Sequence, residues 1–360
     1  MHIGKTVFSN FICMALLLGT GCQTTEKQTR KAILYPPAPS APRLQYLTSY
    51  SVPSDLLPAP NAFKTFVLGA QPPIGSPIVK PYGLTVHKSK LYVCDTTFPQ
   101  VHVLDMENHT WEYFKPKNQG KLNKVIGIAI DADGIKYIAD PVRGSVVIYS
   151  PEGEFITSIG KKGEMKPVGV AVSDEQIHIV DVAEKKVHVY NKHSNERLFS
   201  IPQNLSDRKQ QLVAPTNITL DNENNIYVSD IGDCNIKKFS SDGTYLKTIG
   251  SLGRASGQFV RNKGIAVDKN LNLYAVDAAT QLVQIFNPEG RLLFYFGEPG
   301  GSPVPLTLPA GITIDYNNTD LFQPMADENF EIEYLVFVTS QYGPRKVSVY
   351  GFGKKVDEIE

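Results

Sequence analysis

Asp95, Asp140, Asp181, Asp230 and Asp277 are acidic groups set at near-equal intervals of 45, 41, 49 and 47 residues in a chain of 360. A row of carboxylates can hold a metal ion, or divide the acid and base roles of a reaction between two of its members. Histidine is the next candidate. His87, His102, His178 and His188 fall on different stretches of the same recurring pattern, and none shows the close sequence pairing that a zinc site favours, so no metal site is expected. A Gly-x-Ser-x-Gly elbow, a phosphate-binding glycine loop, a CxxC pair and a haem-attachment CxxCH are all missing from the sequence. Catalytic residues and cofactors are therefore expected to be none.

The elements that carry these residues repeat. Each aspartate closes one short apolar phrase: Leu91-Tyr-Val-Cys-Asp95, Lys136-Tyr-Ile-Ala-Asp140, Ile177-His-Ile-Val-Asp181, Ile226-Tyr-Val-Ser-Asp230 and Leu273-Tyr-Ala-Val-Asp277. An earlier phrase precedes each of them, as in Ile126-Gly-Ile-Ala-Ile-Asp131 or Lys263-Gly-Ile-Ala-Val-Asp268, and a third follows, as in Val187-His-Val-Tyr190. A turn such as Asn287-Pro-Glu-Gly290 then leads into a fourth run. Short β-branched and aromatic runs between turn residues are strands, and four strands in 41 to 49 residues are the period of a propeller blade. A degraded sixth copy begins at Ala310-Gly-Ile-Thr-Ile-Asp315 and ends at Lys346-Val-Ser-Val-Tyr350 without a convincing fourth strand. Arg43-Leu-Gln-Tyr-Leu-Thr-Ser-Tyr50 has strand composition and no other partner. The expected fold is all-β: a six-bladed β-propeller of four-stranded blades, closed by that N-terminal strand in the last blade. Glycines 83, 127, 169, 264 and 311 open the inner strands, where the axis is too crowded for side chains.

These phrases resemble the NHL repeat, over roughly residues 43 to 353. The resemblance implies that the five aspartates are structural and bind loop backbone. It also brings in related six-bladed enzymes, lactonases and lyases, which place metal-binding groups at the entrances of the inner strands. Here those entrances are mostly apolar. Only Thr216, Asn217 and Lys263 are clearly polar, and Asn217 alone is a plausible metal ligand. A metal-dependent lactonase-like hydrolase or lyase at the channel mouth is thus the alternative function.

The charge pattern points elsewhere. Loops that join one blade to the next carry thirteen Lys and Arg against three Asp and Glu, whereas the turns of the opposite face carry five against twenty. A chain with no net charge should therefore fold into a disc with one basic and one acidic face. Asp-rich and Glu-Gly turns follow from turn geometry. Turn geometry does not explain Lys115, Lys117, Lys121, Lys124, Lys161, Lys162, Lys166, Arg254, Arg261 and Lys263 gathering on the other side. They form the candidate binding face, its field reaching about 8 Å at physiological salt.

Lys5 precedes an apolar run, Phe11-Ile-Cys-Met-Ala-Leu-Leu-Leu18, that ends in small residues and Cys22. The run is shorter than the roughly 20 apolar residues that span a bilayer, so residues 1–21 are read as a signal peptide. Gly19-Thr20-Gly21-Cys22 resembles a bacterial lipobox, which implies lipidation of Cys22 by palmitate-type acyl chains and, with Gln23 following, sorting to the outer membrane of a Gram-negative cell. Residues 22–42 are polar and then Pro-rich, an extended tether that could stand the propeller up to about 60 Å off the lipid at about 3.1 Å per residue. Residues 354–360 form a charged tail. Cys94 and Cys234 lie in repeats one and four, opposite each other in a six-fold ring and so beyond the roughly 7 Å reach of a disulfide. The expected protein is a monomeric envelope lipoprotein that meets the membrane only through its lipid. Its expected partner is an envelope protein or an anionic polymer, with no nucleic acid.

Overall fold

The computed structural model describes residues 32–37, 39–57, 75–204, 206–297 and 303–356. Cys22, the signal peptide, the first part of the tether and residues 357–360 lie outside the described residues. Two strands lead the chain, β1 (Ile33–Tyr35) and β2 (Leu44–Tyr50). The first blade follows as β3 (Pro81–His87), β4 (Lys90–Asp95), β5 (Gln100–Asp105) and β6 (Thr110–Phe114). The second is β7 (Gly127–Ile130), β8 (Lys136–Asp140), β9 (Ser145–Tyr149) and β10 (Phe155–Ile159). Blade three holds β11 (Pro167–Val172), β12 (Gln176–Asp181), β13 (Lys186–Asn191) and β14 (Arg197–Ile201). Blade four holds β15 (Pro215–Leu220), β16 (Ile226–Asp230), β17 (Asn235–Phe239) and β18 (Tyr245–Ile249). The fifth has β19 (Asn262–Val267), β20 (Leu273–Asp277), β21 (Leu282–Phe286) and β22 (Leu292–Phe296). The last uses β23 (Pro309–Asp315), β24 (Phe330–Ser340) and β25 (Val347–Lys355).

Each sheet is an antiparallel meander of neighbouring strands, and the six inner strands pack side by side in a closed ring. The last sheet runs β1-β2-β25-β24-β23. Its closure is made by β2, with Leu44 opposite Phe352 and Tyr50 opposite Val347. The N-terminal closing strand is therefore present, with a fifth strand outside it. That fifth strand departs from the extended-tether reading: Ile33–Tyr35 pairs with Leu44–Tyr46, and Tyr35 packs its ring against Phe296 and Tyr350. The tether reading fails here because a three-residue strand beside prolines carries no period to detect. Likewise β25 runs on past Tyr350 to Lys355, because Phe330–Ile332 continues β24 and pairs with it.

The core is divided into six layers, one between each pair of blades. Tyr92, Val101 and Val103 of blade one meet Ile138, Val147 and Tyr149 of blade two, and the pattern continues around the ring to Leu91, Leu104, Phe337 and Val349 between blades six and one. Second and third strands are buried on both faces because every blade is sandwiched, as in the fully buried Gln100–Asp105. Outer strands alternate, as in Tyr245–Ile249 and Leu292–Phe296.

Packing is tightest at the axis. A Cβ on Gly264 would stand 2.5 Å from Ala310 O, and one on Gly83 would stand 2.5 Å from Ile126 O. Glycine is thus the residue that lets neighbouring backbones touch. In blade four the position is taken by Asn217. The segment inserted in the sixth blade folds back as a cover, with a short helix α1 (Thr319–Phe322) that buries Phe322 against Phe337 in the layer between blades six and one. No helix among the described residues is long and apolar enough to cross a membrane.

Candidate functional site

The five repeat aspartates bind backbone. Each carboxylate sits buried at the end of its blade's second strand and accepts N–H groups from the loop that enters the inner strand and from the turn that follows. Asp277 accepts from Val260 (2.7 Å), Arg261 (3.1 Å), Ala279 (2.9 Å) and Thr280 (3.3 Å). Asp230 does the same for Val213, Ala214 and Gly232, and Asp140 for Asn123, Val142 and Arg143. Burial works against the ionised Asp95, yet His102 and the N–H groups of Val79, Thr97 and Lys80 hold its pKa down to about 2. These groups therefore staple the connecting loops to the ring and leave most of their acceptor capacity occupied.

The histidines scatter as the sequence suggests. His87 lies near Gly134 at the opposite end of the inner strand. His102 is buried, accepting from Trp111 Nε1 at 3.2 Å. His178 is buried mid-strand, and burial pushes its pKa down to about 4.

The channel mouth is different. Going around the ring, the residues just before the glycine layer are Tyr82, Ile126, Val168, Thr216, Lys263 and Ala310. Below them Leu84, Ile128, Val170, Ile218, Ile265 and Ile312 line a narrow axial cavity of about 70 Å³. Polar groups thus sit over an apolar plug. Asn217 Nδ2 donates to Thr216 Oγ1 (3.1 Å) and to Tyr82 Oη (3.4 Å), fixing its amide across the opening.

Lys263 is only 4% exposed, so it is not the surface charge that counting by loop makes it. Its ammonium donates to Gln341 Oε1 at 3.1 Å and lies 5.4 Å over the centroid of the Tyr82 ring. Burial, with Arg261 and Lys80 nearby, pulls its pKa down to about 8. Lys80 sits over Tyr342, whose chain neighbour is Gln341. Three cations from blades one and five therefore converge on the mouth.

The other members of the basic face stand where the topology puts them, in loops 115–124, 161–166 and 251–261. Lys115, Lys117, Lys121, Lys162, Lys166, Arg254 and Arg261 are exposed, and Lys124 is half-buried. Among the described residues only Lys161 of the ten has a carboxylate partner, Glu164 at 2.8 Å. On the opposite face Lys90 pairs with Asp105, Lys192 with Asp131 and Lys238 with Asp221, while Lys269 lies over the Tyr316 ring. The two ends of the disc thus differ in how much carboxylate stands beside their positive charge.

No known protein-family profile and no curated protein matches the chain in sequence. Solved structures do match in fold. A streptogramin B lyase superposes with a TM-score of 0.53 at 14% identity over 78% of this chain and 85% of its own. A catalytically inactive virginiamycin B lyase from Staphylococcus aureus with quinupristin gives 0.52 and 14% over 76% and 96%. A Bacteroides thetaiotaomicron protein of unknown function gives 0.55 and 15% over 86% and 75%. At such identities the likeness is one of fold.

Proposed function

We propose that the chain is a non-catalytic binding propeller of the bacterial envelope, anchored through acyl groups on Cys22, that takes an anionic polymer on its basic face. The observation that carries the reading is that nine of the ten cations named for that face have no carboxylate partner among the described residues, with Lys263 buried at its centre. An ammonium held away from water and beside two like charges lacks a counter-ion that a carboxylate or phosphate group of the ligand would supply. Gln341 and the Tyr82 ring stabilise it meanwhile. Exposed lysines around the mouth add attraction that salt would screen.

The channel-mouth metal enzyme is less well supported. Three cations at the opening repel the divalent ion that Asn217 Oδ1 would have to hold. The lyase neighbours add a fold and nothing about chemistry.

The test uses immobilised lipopolysaccharide, which carries phosphates, and polygalacturonate, which carries carboxylates, with the purified protein at low and physiological salt. Binding that weakens with salt and falls in a Lys80→Gln, Arg261→Gln, Lys263→Gln triple variant supports the reading. Equal retention of the triple variant and the natural protein on both polymers would sink it, and capture of an acidic protein from envelope extract, with neither polymer bound, would move the partner to that class.

A further inference from the structure

Blade three breaks the pattern of its fellows at one atom. In blades one, two, four and five the second oxygen of the repeat aspartate accepts an N–H from the loop: Val79 to Asp95, Asn123 to Asp140, Val213 to Asp230 and Val260 to Asp277, at 2.6–2.7 Å. In blade three Asp181 Oδ1 accepts from Lys166, Ala183 and Glu184, but Oδ2 is buried with no hydrogen bond. That orphaned oxygen faces His188 Nε2 at 3.6 Å, and Nε2 in turn lies 3.5 Å from Glu184 Oε2. His188 is 2% exposed, and its Nδ1 is 2.8 Å from Ser200 Oγ. The three donor atoms lie within 4.8 Å of one another and border a cavity of about 390 Å³ that opens outward.

The fourth blade shows what such a place holds. Asp230, Asp233 and Lys237 occupy the same offsets as Asp181, Glu184 and His188, and there the Lys237 ammonium sits 2.7 Å from Asp233 and 4.0 Å from Asp230. A cation built into the chain fills the gap between two carboxylates. In blade three the same gap is bordered by an imidazole. Blade one also has a histidine, His102, but Phe98 stands where the second carboxylate would be. There Trp111 donates to Nδ1, so the ring proton belongs on Nε2 and that nitrogen has no lone pair for a metal.

We propose that Asp181 Oδ2, Glu184 Oε2 and His188 Nε2 form a divalent transition-metal site, with Zn2+ the best fit. Two ligands each about 2.1 Å from a tetrahedral ion lie about 3.4 Å apart, close to the separations here. One imidazole and two carboxylates are a borderline donor set that suits Zn2+ or Mn2+ over Ca2+. The Ser200 hydroxyl accepts from Nδ1–H once Nε2 gives its lone pair to the metal, the outer contact that orients a ligating histidine. The fourth position faces the cavity and is left for water or a ligand group. Lys186 Nζ, 3.6 Å from Glu184 Oε2, swings away when the carboxylate turns to the ion, which its partial exposure permits. The proposed site departs from the expectation that no histidine is placed for a metal, and it is independent of the channel mouth.

Isothermal titration with ZnCl2 and then MnCl2, on the full chain after chelator treatment, tests it, with thermal unfolding as a second readout. One equivalent should bind and raise Tm. Glu184→Gln, at a half-exposed side chain that the fold does not need, should weaken Zn2+ by more than about tenfold. His188→Lys, which copies blade four, should keep the metal-free Tm and abolish binding. The proposal is overturned if neither ion binds at one equivalent, or if Glu184→Gln binds Zn2+ as tightly as the natural protein.

Discussion

Lys263 Nζ stands 5.4 Å over the ring of Tyr82, so that a cation carried by the fifth blade is seated on an aromatic of the first. Both residues come from entrances to inner strands, and the contact therefore spans the mouth of the channel. Burial at that place, with Arg261 and Lys80 nearby, makes the charge of Lys263 depend on pH near neutrality.

Lys263 carries its charge below its pKa of about 8 and loses it above, whereas an ordinary lysine stays charged to about 10.4. Binding of an anionic polymer should therefore drop between about pH 7 and pH 9, and Lys263→Met should remove that drop while lowering affinity. Equilibrium binding at the two pH values checks it. A profile flat to about pH 9.5 in the natural protein would show that this ammonium does not take part.

Acid should destabilise the ring in two stages. His178 has its pKa lowered from 6.5 to about 4 by burial, so the unfolded chain binds the extra proton first. Stability is complete above pH 6.5 and is lost as pH falls towards 4, by about 3 kcal/mol at most. Asp95, lowered from 3.8 to about 2, contributes above 3.8 and is lost only as pH falls through 2. Urea unfolding at pH 7, 5 and 4 should show the first loss, and His178→Leu should reduce it.

Asp277→Ala strips a hydrogen-bond acceptor from four N–H groups and should cost about 3 kcal/mol or more, because buried donors are left unpaired. Asp242→Ala, in an exposed turn, should cost less than about 1 kcal/mol. Chemical denaturation of both separates stapling from local turn preference. Equal effects would contradict the role given to the repeat carboxylates.

Deleting residues 32–50 removes β1 and β2 and leaves Val347–Lys355 with an open edge beside buried Tyr350. The shortened protein should melt lower and self-associate, since a bare hydrophobic edge pairs with other chains. Light scattering and thermal unfolding read the outcome. A monomer of unchanged Tm would mean that the ring holds without its closing strand.

The strands were legible because each phrase repeats a period-two or fully apolar pattern against the same turns, and Leu273-Tyr-Ala-Val-Asp277 is a strand to the residue. Closure by residues 44–50 could be inferred because one blade lacked a strand and one strand lacked a blade. Ile33–Tyr35 could not, since three residues between polar and proline-rich stretches show no alternation. Lys263 was visible as a polar entrance residue, but not its burial, which depends on Gln341 and Tyr82 arriving from other blades. The cluster at His188 was hidden for a related reason. Its signal is the offset Asp-x-x-Glu-x-x-x-His, which becomes meaningful only when a strand, a turn and the next strand fold it into one corner, and when the neighbouring loop withholds an N–H.

The pairing of Leu44 with Phe352 also sets the order of assembly. As the chain folds, blades one to five can each close from contiguous chain, but the strand that completes the sixth stands some three hundred residues from its partner. Local meanders form quickly, whereas a contact of this sequence separation is slow and comes last. The folding protein therefore passes through a horseshoe of finished blades whose two end faces, one at blade one and one at blade five, stay greasy and open until Leu44–Tyr50 meets Val347–Lys355, and a holdase that covers those faces would govern the yield of the closed ring.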